Sequence, residues 1–354
     1  MKVIFVVSAL HGGGAERVIA TLANYMADRN DNVTILMTAG DEVVYQLDER
    51  IQLISIGQAS GGNLLVRIKR LFAMHRYFKA HKESCIVSFS TSINLFTILA
   101  ALGTGVHTIV SERNDPGRYR HKRLRNMIYA MGDWFVFQTE DAKKCFSRAI
   151  QKKGRVIPNP IRSELPKLYS GVREKKIAAA GRLESQKNHK LLLTAFAEFH
   201  KNFPEYTLHI YGKGSLEEEL KELTALLRIE DYVVWEGFCE DILQKIRTYS
   251  MYVLSSDYEG ISNSLMEAMA LGLPCISTDC PIGGSRLCIQ DKGNGRLIPV
   301  GDCKALQDAM EWIAQDIERA EEMGKRAVEI RERFSEKTIC EEWRAFMEGA
   351  AKQV

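Results

Sequence analysis

The sequence predicts an α/β protein made of two doubly wound, Rossmann-like domains that face each other across an interdomain cleft. Short apolar runs rich in β-branched residues alternate with segments of helical period, the pattern of parallel βαβ units. The alternation is interrupted at Pro158-Asn159-Pro160 and Pro166, which favour an extended connector, and then starts again. A length of 354 residues suits two domains of ordinary size.

The first half of the chain carries the first series of elements, and we expect this N-terminal domain to span residues 1–165. A helix is predicted over 15–28, where Val18, Leu22 and Met26 share one apolar face. Strands are predicted at 2–8, 33–38, 52–56, 85–89, 107–111, 134–137 and 155–157.

The second half repeats the alternation, and we expect a C-terminal domain over 166–335. Strands are predicted at 177–180, 207–211, 232–235, 251–254 and 274–277, with helices at 190–201 and 216–227. Residues 302–351 are almost wholly of helical character, with a break near Phe334-Ser335. A final helical segment, 336–354, is therefore expected after this break.

Charge is distributed unevenly between the two halves. Hydrophobic residues at 45% and charged residues at 26% are ordinary for a globular protein and exclude collagen-like and disordered classes. The net charge of +3 combines +9 in residues 1–165 (23 Lys+Arg against 14 Asp+Glu) with −6 in the remainder (25 against 31). The basic residues concentrate in 67–82 and 118–125, which indicates an anionic partner for the first domain.

Segment 64–74 mixes cations with large apolar residues at helical spacing. This pattern is typical of a helix that lies on an anionic membrane, and also of an ordinary solvated helix. A nucleic-acid partner is not expected, because no recognised binding motif accompanies the charge. The eight cysteines form no Cys-x-x-Cys pair, and neither an export signal nor a membrane span is expected. We therefore expect a cytoplasmic protein that associates peripherally with the inner face of the membrane.

Three clusters carry residues suited to binding an anionic ligand. Gly12-Gly13-Gly14 follows the first strand and opens a helix, where the backbone can approach an anion closely; the alternative is a tight strand-to-helix turn. Arg182 and Lys187 follow the first strand of the second domain, and both can reach a diphosphate unless they are merely solvated.

The third cluster combines two carboxylates with a helix start. Ser262 is a good N-cap, so the amides near Ser262 and Asn263 point toward a phosphate. Glu267, in the same helix, can accept hydrogen bonds from two vicinal ribose hydroxyls. Glu259 lies in the loop before the helix, and the alternative for Glu267 is an exposed helix residue.

Taken together, these motifs resemble the retaining glycosyltransferases of family 4, which have the GT-B fold. The resemblance rests on Gly13-Gly14-Ala15-Glu16, Gly181-Arg182…Lys187, Tyr211-Gly212-Lys213-Gly214, Trp235-Glu236-Gly237-Phe238 and Glu259-x7-Glu267, in order along the chain. It implies a nucleotide-sugar donor, expected to be a UDP-sugar, in the C-terminal domain. It also implies a lipid-linked or polysaccharide acceptor in the N-terminal domain, and a final helix that packs back on that domain.

The resemblance also implies a role for each matching residue. Arg182 and Lys187 would clamp the diphosphate, Glu259 would bind the transferred sugar, and Glu267 the ribose. Gly13 and Gly14 would approach the diphosphate, and Ser262 and Asn263 would give it backbone amides. Gly212, Gly237 and Phe238 would border the nucleoside.

The chain departs from the family pattern after its fifth strand. Many members have a His near the donor sugar there, whereas this chain has Arg113, which cannot act as a general base at neutral pH. Glu112 and Asp115 are candidates for the acceptor side, and each is equally well explained as a structural loop residue.

The predicted mechanism needs no metal cofactor. The chain contains no Asp-x-Asp, so fixed cations are expected to replace Mg²⁺ at the leaving diphosphate. No covalent nucleophile is evident, and we expect attack by the acceptor hydroxyl on the face that the diphosphate leaves. Two other classes stay open: a non-hydrolysing nucleotide-sugar epimerase, and a donor-binding protein without activity.

Overall fold

The computed structural model describes residues 1–57 and 64–352 and divides into two units. The first unit comprises Met1–Pro160 with Glu336–Val354, and the second comprises Ile161–Ser335. The boundary that we expected after residue 165 falls earlier, because Ile161 already pairs with the end of the second unit. Its amide donates a hydrogen bond of 2.9 Å to the carbonyl oxygen of Phe334. Positions 353 and 354 of the expected final segment lie outside the described residues.

The first unit is built on a parallel sheet, which has seven strands in the described part of the chain. Their order is β3-β2-β1-β4-β5-β6-β7, so the sheet changes direction between β1 and β4. Of the central strands, β4 is buried along its whole length and β5 at every position after His107. The strands are β1 Lys2–Val7, β2 Asn32–Met37, β3 Gln52–Ser55, β4 Cys85–Phe89, β5 His107–Ser111, β6 Trp134–Phe137 and β7 Gly154–Val156.

Helices connect these strands. They are α1 Gly14–Ala27, α2 Leu64–Ala80, α3 Thr91–Ala101, α4 Lys122–Tyr129, α5 Glu140–Lys144 and α6 Arg148–Lys152. α2 and α4 both pack against α3, so the three helices lie on one face of the sheet.

The second unit repeats the design with a sheet of six described strands. Their order is β10-β9-β8-β11-β12-β13, all parallel, with the change of direction between β8 and β11. They are β8 Glu174–Ala180, β9 Thr207–Tyr211, β10 Val233–Gly237, β11 Tyr249–Leu254, β12 Cys275–Thr278 and β13 Arg296–Ile298. β13 was not predicted, because a run of three residues with an initial Arg gives no periodic signal.

The helices of the second unit enclose a large apolar core. Leu192 and Phe196 from the helix side meet Ile210 and Val253 from the sheet side, all buried. The helices are α7 His189–Asn202, α8 Glu217–Leu226, α9 Ile242–Ile246, α10 Asn263–Ala270, α11 Gly284–Cys288, α12 Cys303–Ala314, α13 Ile317–Ala327 and α14 Ile330–Arg333.

The last helix, α15 (Glu336–Lys352), belongs to the first unit. It packs against α1 and β5, and its Trp343 is fully buried beside Phe89. Arg344 Nε lies 2.9 Å from Oδ2 of Asp31, which follows α1. No helix among the described residues combines the length and apolar character needed to cross a bilayer.

Candidate functional site

The candidate residues of the second unit follow the two strands at which its sheet changes direction. β8 and β11 are neighbours, although β9 and β10 lie between them in sequence. Arg182 and Lys187 follow β8, and Glu259 follows β11. Ligands of doubly wound sheets bind beyond the carboxyl ends of the strands at such a point. The topology of this unit therefore places these residues where a ligand site is expected.

Three glycine-containing loops approach one another beside this point. Gly212 has a φ of +138°, and a Cβ atom on it would lie 2.0 Å from the carbonyl oxygen of Gly181. Its amide donates a hydrogen bond of 2.8 Å to the carbonyl oxygen of Gly237. Glycine is therefore required at position 212 by both backbone conformation and space. Phe238, next to Gly237, has a largely exposed side chain.

Lys187 and Glu259 form an ion pair at the centre of the site. Lys187 Nζ lies 2.5 Å from Oε1 of Glu259, and the side chains are only 15% and 10% exposed. Lys187 ends a 3₁₀ turn, Ser185–Lys187, and Glu259 lies in the loop that follows β11. Two groups that we expected to contact adjacent parts of one ligand thus form an ion pair with each other.

Two neutral residues that the sequence analysis missed complete the surroundings of Glu259. Ser256 Oγ donates a hydrogen bond of 2.7 Å to Oε1 of Glu259. Gln186 Nε2 donates to the carbonyl oxygen of Tyr258 (2.9 Å) and to Oε2 of Glu259 (3.3 Å). The sequence gives no signal for these contacts, because Gln186 and Glu259 are 73 residues apart and neither Gln nor Ser marks a site by itself.

The turn that carries Lys187 is fixed by the residue that follows it. Asn188 has a φ of +45°. Its side-chain oxygen accepts a hydrogen bond from the amide of Leu191 at the start of α7, and its Nδ2 donates a hydrogen bond of 2.7 Å to Oδ1 of Asp257. His189, the first residue of α7, is buried. Burial and the nearby Lys187 charge lower the pKa of His189 to about 4, so the imidazole is neutral at pH 7.

Arg182, the other cation of this loop, is exposed. An exposed guanidinium is accessible to an anionic ligand and costs no desolvation in the free protein. The diphosphate contact assigned to Arg182 stays a prediction.

Helix α10 begins as the sequence predicts. Ser262 is its N-cap, and the Ser262 Oγ accepts from the amide of Leu265 at 3.4 Å. The hydroxyls of Ser262 and Ser264 lie 3.1 Å apart, and Tyr252 donates 2.8 Å to the Ser264 hydroxyl. Asn263 is the first helical residue. The helix start is therefore rigidly held beside the loop that contains Glu259.

Glu267 is buried in α10 rather than exposed, with a relative accessibility of 4%. Its Oε1 lies 2.6 Å from Nε of Arg162, whose side chain is 37% exposed. Sequence analysis did not identify Arg162, because the two residues are 105 positions apart and an Arg after a Pro-rich connector resembles a surface residue. The carboxylate that we assigned to ribose binding thus has a cationic partner within its own unit.

The glycine-rich loop of the first unit ends at a helix, as predicted. Gly13 is the N-cap of α1, and Gly14 is its first residue. The Tyr45 hydroxyl donates 2.8 Å to the carbonyl oxygen of Gly13, and a Cβ on Gly13 would lie 2.2 Å from a carboxylate oxygen of Glu16. The contact of Gly13 and Gly14 with a diphosphate stays a prediction.

Glu112 and Asp115 make structural hydrogen bonds within the first unit. Glu112 is buried and accepts from the hydroxyls of Thr91 (2.9 Å) and Tyr129. Burial raises the pKa of Glu112, and the two hydroxyl bonds oppose that rise. Asp115 accepts 2.7 Å from the amide of Gly117 and caps a 3₁₀ turn. These contacts agree with the structural alternative for both residues, and their acceptor role stays a prediction.

Arg113 has an unusual environment for a charged loop residue. Its guanidinium carbon lies 4.2 Å from the centre of the Phe89 ring and 5.7 Å from that of Trp343. Its three guanidinium nitrogens are buried, and none has a hydrogen-bond partner within the described residues. Burial lowers the pKa of Arg113 to about 9, which still leaves it protonated at neutral pH. Cation–π contact with the rings is the compensation that the structure provides.

No cluster of three or more His, Cys, Asp or Glu side chains within residues 1–57 and 64–352 has a geometry that could hold a metal ion. The metal independence expected from the sequence needs its own experiment and stays a prediction.

Comparison with known families identifies the chain. The family model described as Glycosyltransferase Family 4 matches residues 12–165, and the model described as Glycosyl transferases group 1 matches residues 162–329. Together they span both structural units. The chain belongs to the glycosyltransferases, with a family 4 domain followed by a group 1 domain.

Relatives of this glycosyltransferase include bacterial enzymes of similar length. A Campylobacter jejuni protein named GalNAc-alpha-(1->4)-GalNAc-alpha-(1->3)-diNAcBac-PP-undecaprenol alpha-1,4-N-acetyl-D-galactosaminyltransferase is 28% identical over 353 residues, covering 97% of both chains. A second Campylobacter jejuni enzyme, named N-acetylgalactosamine-N,N'-diacetylbacillosaminyl-diphospho-undecaprenol 4-alpha-N-acetylgalactosaminyltransferase, is 27% identical over 88% of this chain and 90% of its own.

Solved structures confirm the predicted GT-B fold of this glycosyltransferase. Anabaena Alr3699/HepE in complex with UDP and glucose matches with a TM-score of 0.84 and 18% identity, covering 98% of this chain and 99% of that chain. TarM of S. aureus, in complex with Fondaparinux, alpha-GlcNAc-glycerol and UDP, matches with a TM-score of 0.81 and 14% identity over 98% and 99% of the two chains.

Proposed function

We propose that this glycosyltransferase retains anomeric configuration and moves a hexose or N-acetylhexosamine from a UDP-sugar to a hydroxyl of a lipid-linked or polysaccharide glycan. The observation that carries the proposal is the Lys187–Glu259 pair at 2.5 Å, beside the N-terminus of α10. It joins two of the motifs on which the family resemblance rests, at the switch point of the second unit.

Similar proteins support the donor and the acceptor. The relative that matches along 97% of the chain is named as an N-acetylgalactosaminyltransferase acting on a diphospho-undecaprenol glycan. HepE was solved with UDP and glucose, and TarM with UDP. A UDP-sugar and a polyprenyl-diphosphate-linked acceptor are therefore the substrates that we assign to this chain.

The residues of the second unit take distinct roles in this proposal. Lys187 and Arg182 bind the diphosphate, Glu259 binds hydroxyls of the transferred sugar, and Glu267 binds the ribose. When the donor enters, Lys187 exchanges one oxygen of Glu259 for a phosphate oxygen, and Glu259 keeps its bonds from Ser256 and Gln186. Before the donor binds, the ion pair holds the Lys187 ammonium at the site and compensates its charge with that of Glu259.

Catalysis follows from where negative charge develops. Cleavage of the sugar–phosphate bond leaves additional charge on the UDP leaving group. Cations and helix amides directed at that group stabilise the transition state more than the bound donor. Their positions are fixed before the reaction, since Asn188 holds the turn before α7 and Ser262 caps α10.

The retained configuration is assigned to attack on the face from which UDP departs. The Glu259 carboxylate keeps the hydrogen bonds from Ser256 and Gln186, which suits hydroxyl recognition better than nucleophilic attack. When the reaction with a labelled donor is quenched rapidly, mass spectrometry of the protein should detect no covalently attached sugar. A covalent sugar adduct on any residue would contradict this mechanism.

The lipid-linked acceptor is consistent with the surface of α2. Its sequence, LLVRIKRLFAMHRYFKA, has five Lys and Arg and no Asp or Glu, while Leu64, Leu65 and Phe72 are each more than 60% exposed. We assign this helix to peripheral contact with anionic lipid. Vesicles containing phosphatidylglycerol should bind the protein, and the double variant Leu65→Ser, Phe72→Ser should bind them less. Leu226→Ser, at a position of the second unit that is even more exposed, is the control.

Labelled UDP-sugars test the activity directly. The purified chain is incubated with each donor alone, and then with a polyprenyl-diphosphate glycan. Transfer of label to the acceptor with unchanged anomeric configuration is the expected result. A new sugar epimer without acceptor would show an epimerase instead, and UDP binding without turnover against any glycan would show a donor-binding protein.

A further inference from the structure

The ion pair between Arg162 and Glu267 joins the candidate nucleoside site to the point where the chain enters the second unit. Arg162 is the second residue of that unit. The preceding residue, Ile161, donates a backbone hydrogen bond to Phe334 and pairs with Ser335, at the opposite end of the unit. The backbone beside Arg162 is therefore held by the last residues of its own unit.

The helix that carries Glu267 is fixed by the same region. Arg331 of α14 donates a bond of 2.7 Å from Nε to the carbonyl oxygen of Ala270, at the end of α10. Helices α10 and α14 pack together. Arg162 and Glu267 are thus held at 2.6 Å by a shared framework rather than by chance proximity of two long side chains.

The burial of Glu267 makes this partner important. At 4% relative accessibility, an ionised carboxylate without a partner would bear a large desolvation cost. A bond from Arg162 Nε compensates for that cost and also fixes the position of Oε1. An ionised carboxylate only accepts hydrogen bonds, which is what two vicinal ribose hydroxyls require.

We infer that Arg162 is a positioning residue for the nucleoside, acting through Glu267 to orient the carboxylate that binds the ribose. The inference rests on the proposed function, because it takes the ligand to be a ribonucleoside diphosphate. It assigns to Arg162 a role in affinity and in the discrimination of ribose from deoxyribose. A purely structural ion pair would affect folding stability alone.

Titration calorimetry with UDP and with 2′-deoxy-UDP separates these roles. Arg162→Gln should weaken UDP binding about tenfold, the usual range for directly coupled residues, and weaken 2′-deoxy-UDP binding less. The preference of the protein for UDP over 2′-deoxy-UDP should therefore fall. Arg162→Lys should restore part of it. Lys304→Gln, which removes the partner of Asp308 on the exposed face of α12, should change neither affinity.

A double-mutant cycle completes the test. In a Glu267→Gln background, Arg162→Gln should cause little additional loss of UDP affinity, because its effect passes through that carboxylate. Equal losses for both nucleotides, or the same loss in the Glu267→Gln background, would overturn the inference. If Arg162→Gln does not fold, failure of Arg162→Lys to alter the preference between the two nucleotides would also overturn it. Failure of the unaltered protein to bind UDP would refute the proposed function, and the inference with it.

Discussion

His189 gives a pH dependence of stability that can be worked out from its surroundings. It is buried at the start of α7, two positions after Lys187, and its pKa lies at about 4 instead of 6.5. As the pH falls below 6.5, the unfolded chain takes up a proton on this imidazole and the folded chain does not. Stability contributed by the neutral His189 is therefore present above pH 6.5 and lost toward pH 4.

The magnitude follows from the separation of the two pKa values. Each pH unit between the two pKa values lowers the free energy of unfolding by about 1.4 kcal/mol. The loss is therefore about 3 kcal/mol between pH 6.5 and pH 4, of which about 2 kcal/mol is already lost at pH 5. His189→Gln removes the titrating group. Between pH 7.5 and pH 5, the free energy of unfolding of the His189→Gln variant should therefore fall by about 2 kcal/mol less than that of the unaltered protein.

Urea unfolding at both pH values measures this difference. Trp235 and Trp312, two of the four tryptophans, belong to the second unit, so intrinsic fluorescence reports the unfolding of that unit together with that of the first. His121→Gln replaces an exposed His of the first unit and should leave the pH dependence of that transition unchanged. Coincident pH dependences for His189→Gln and the unaltered protein would refute the reasoning.

Three further predictions concern the site and its scaffold. Glu267→Ala should weaken the binding of UDP itself at least tenfold, whereas Glu259→Ala should mainly weaken the binding of the UDP-sugar. Calorimetric titration measures both affinities, and equal losses of UDP affinity in the two variants would contradict the division of roles. Gly212→Ala should lower the free energy of unfolding by more than about 2 kcal/mol, since its Cβ would lie 2.0 Å from the Gly181 carbonyl oxygen and its φ is +138°. Gly349→Ala in α15, with no atom within 4 Å of the new Cβ, should be neutral or slightly stabilising when thermal unfolding is measured for both variants. Excess EDTA should leave sugar transfer unchanged, and loss of activity restored by Mg²⁺ would show that fixed cations do not suffice.

The periodicity of the sequence was sufficient to locate most strands. Cys85–Phe89, His107–Ser111 and Trp134–Phe137 coincide with predicted runs, because buried central strands are continuously apolar. Arg296–Ile298 was missed, since so short an edge strand has no period. The left-handed conformation of Asn188 was not predictable either, although it fixes the turn that carries Lys187.

The motifs of the site were recognisable, but their mutual contacts were not. Local signals identify Ser262 as a helix cap, because capping depends on the next few residues. Apart from Ser256, the partners described for Glu259 and Glu267 come from distant segments and depend on strand order and packing. Arg113 is the opposite case: its place in the family pattern suggested a residue near the donor sugar, whereas its guanidinium nitrogens are buried beside two aromatic rings.

The most direct test of the account compares the binding of UDP and of uridine to the unaltered protein and to Lys187→Gln. If the loop after β8 holds the diphosphate, UDP should bind the unaltered protein far more tightly than uridine. Lys187→Gln should then lose at least tenfold in UDP affinity, with little change for uridine. Equal affinity of the unaltered protein for the two ligands, or full UDP affinity in Lys187→Gln, would contradict the account.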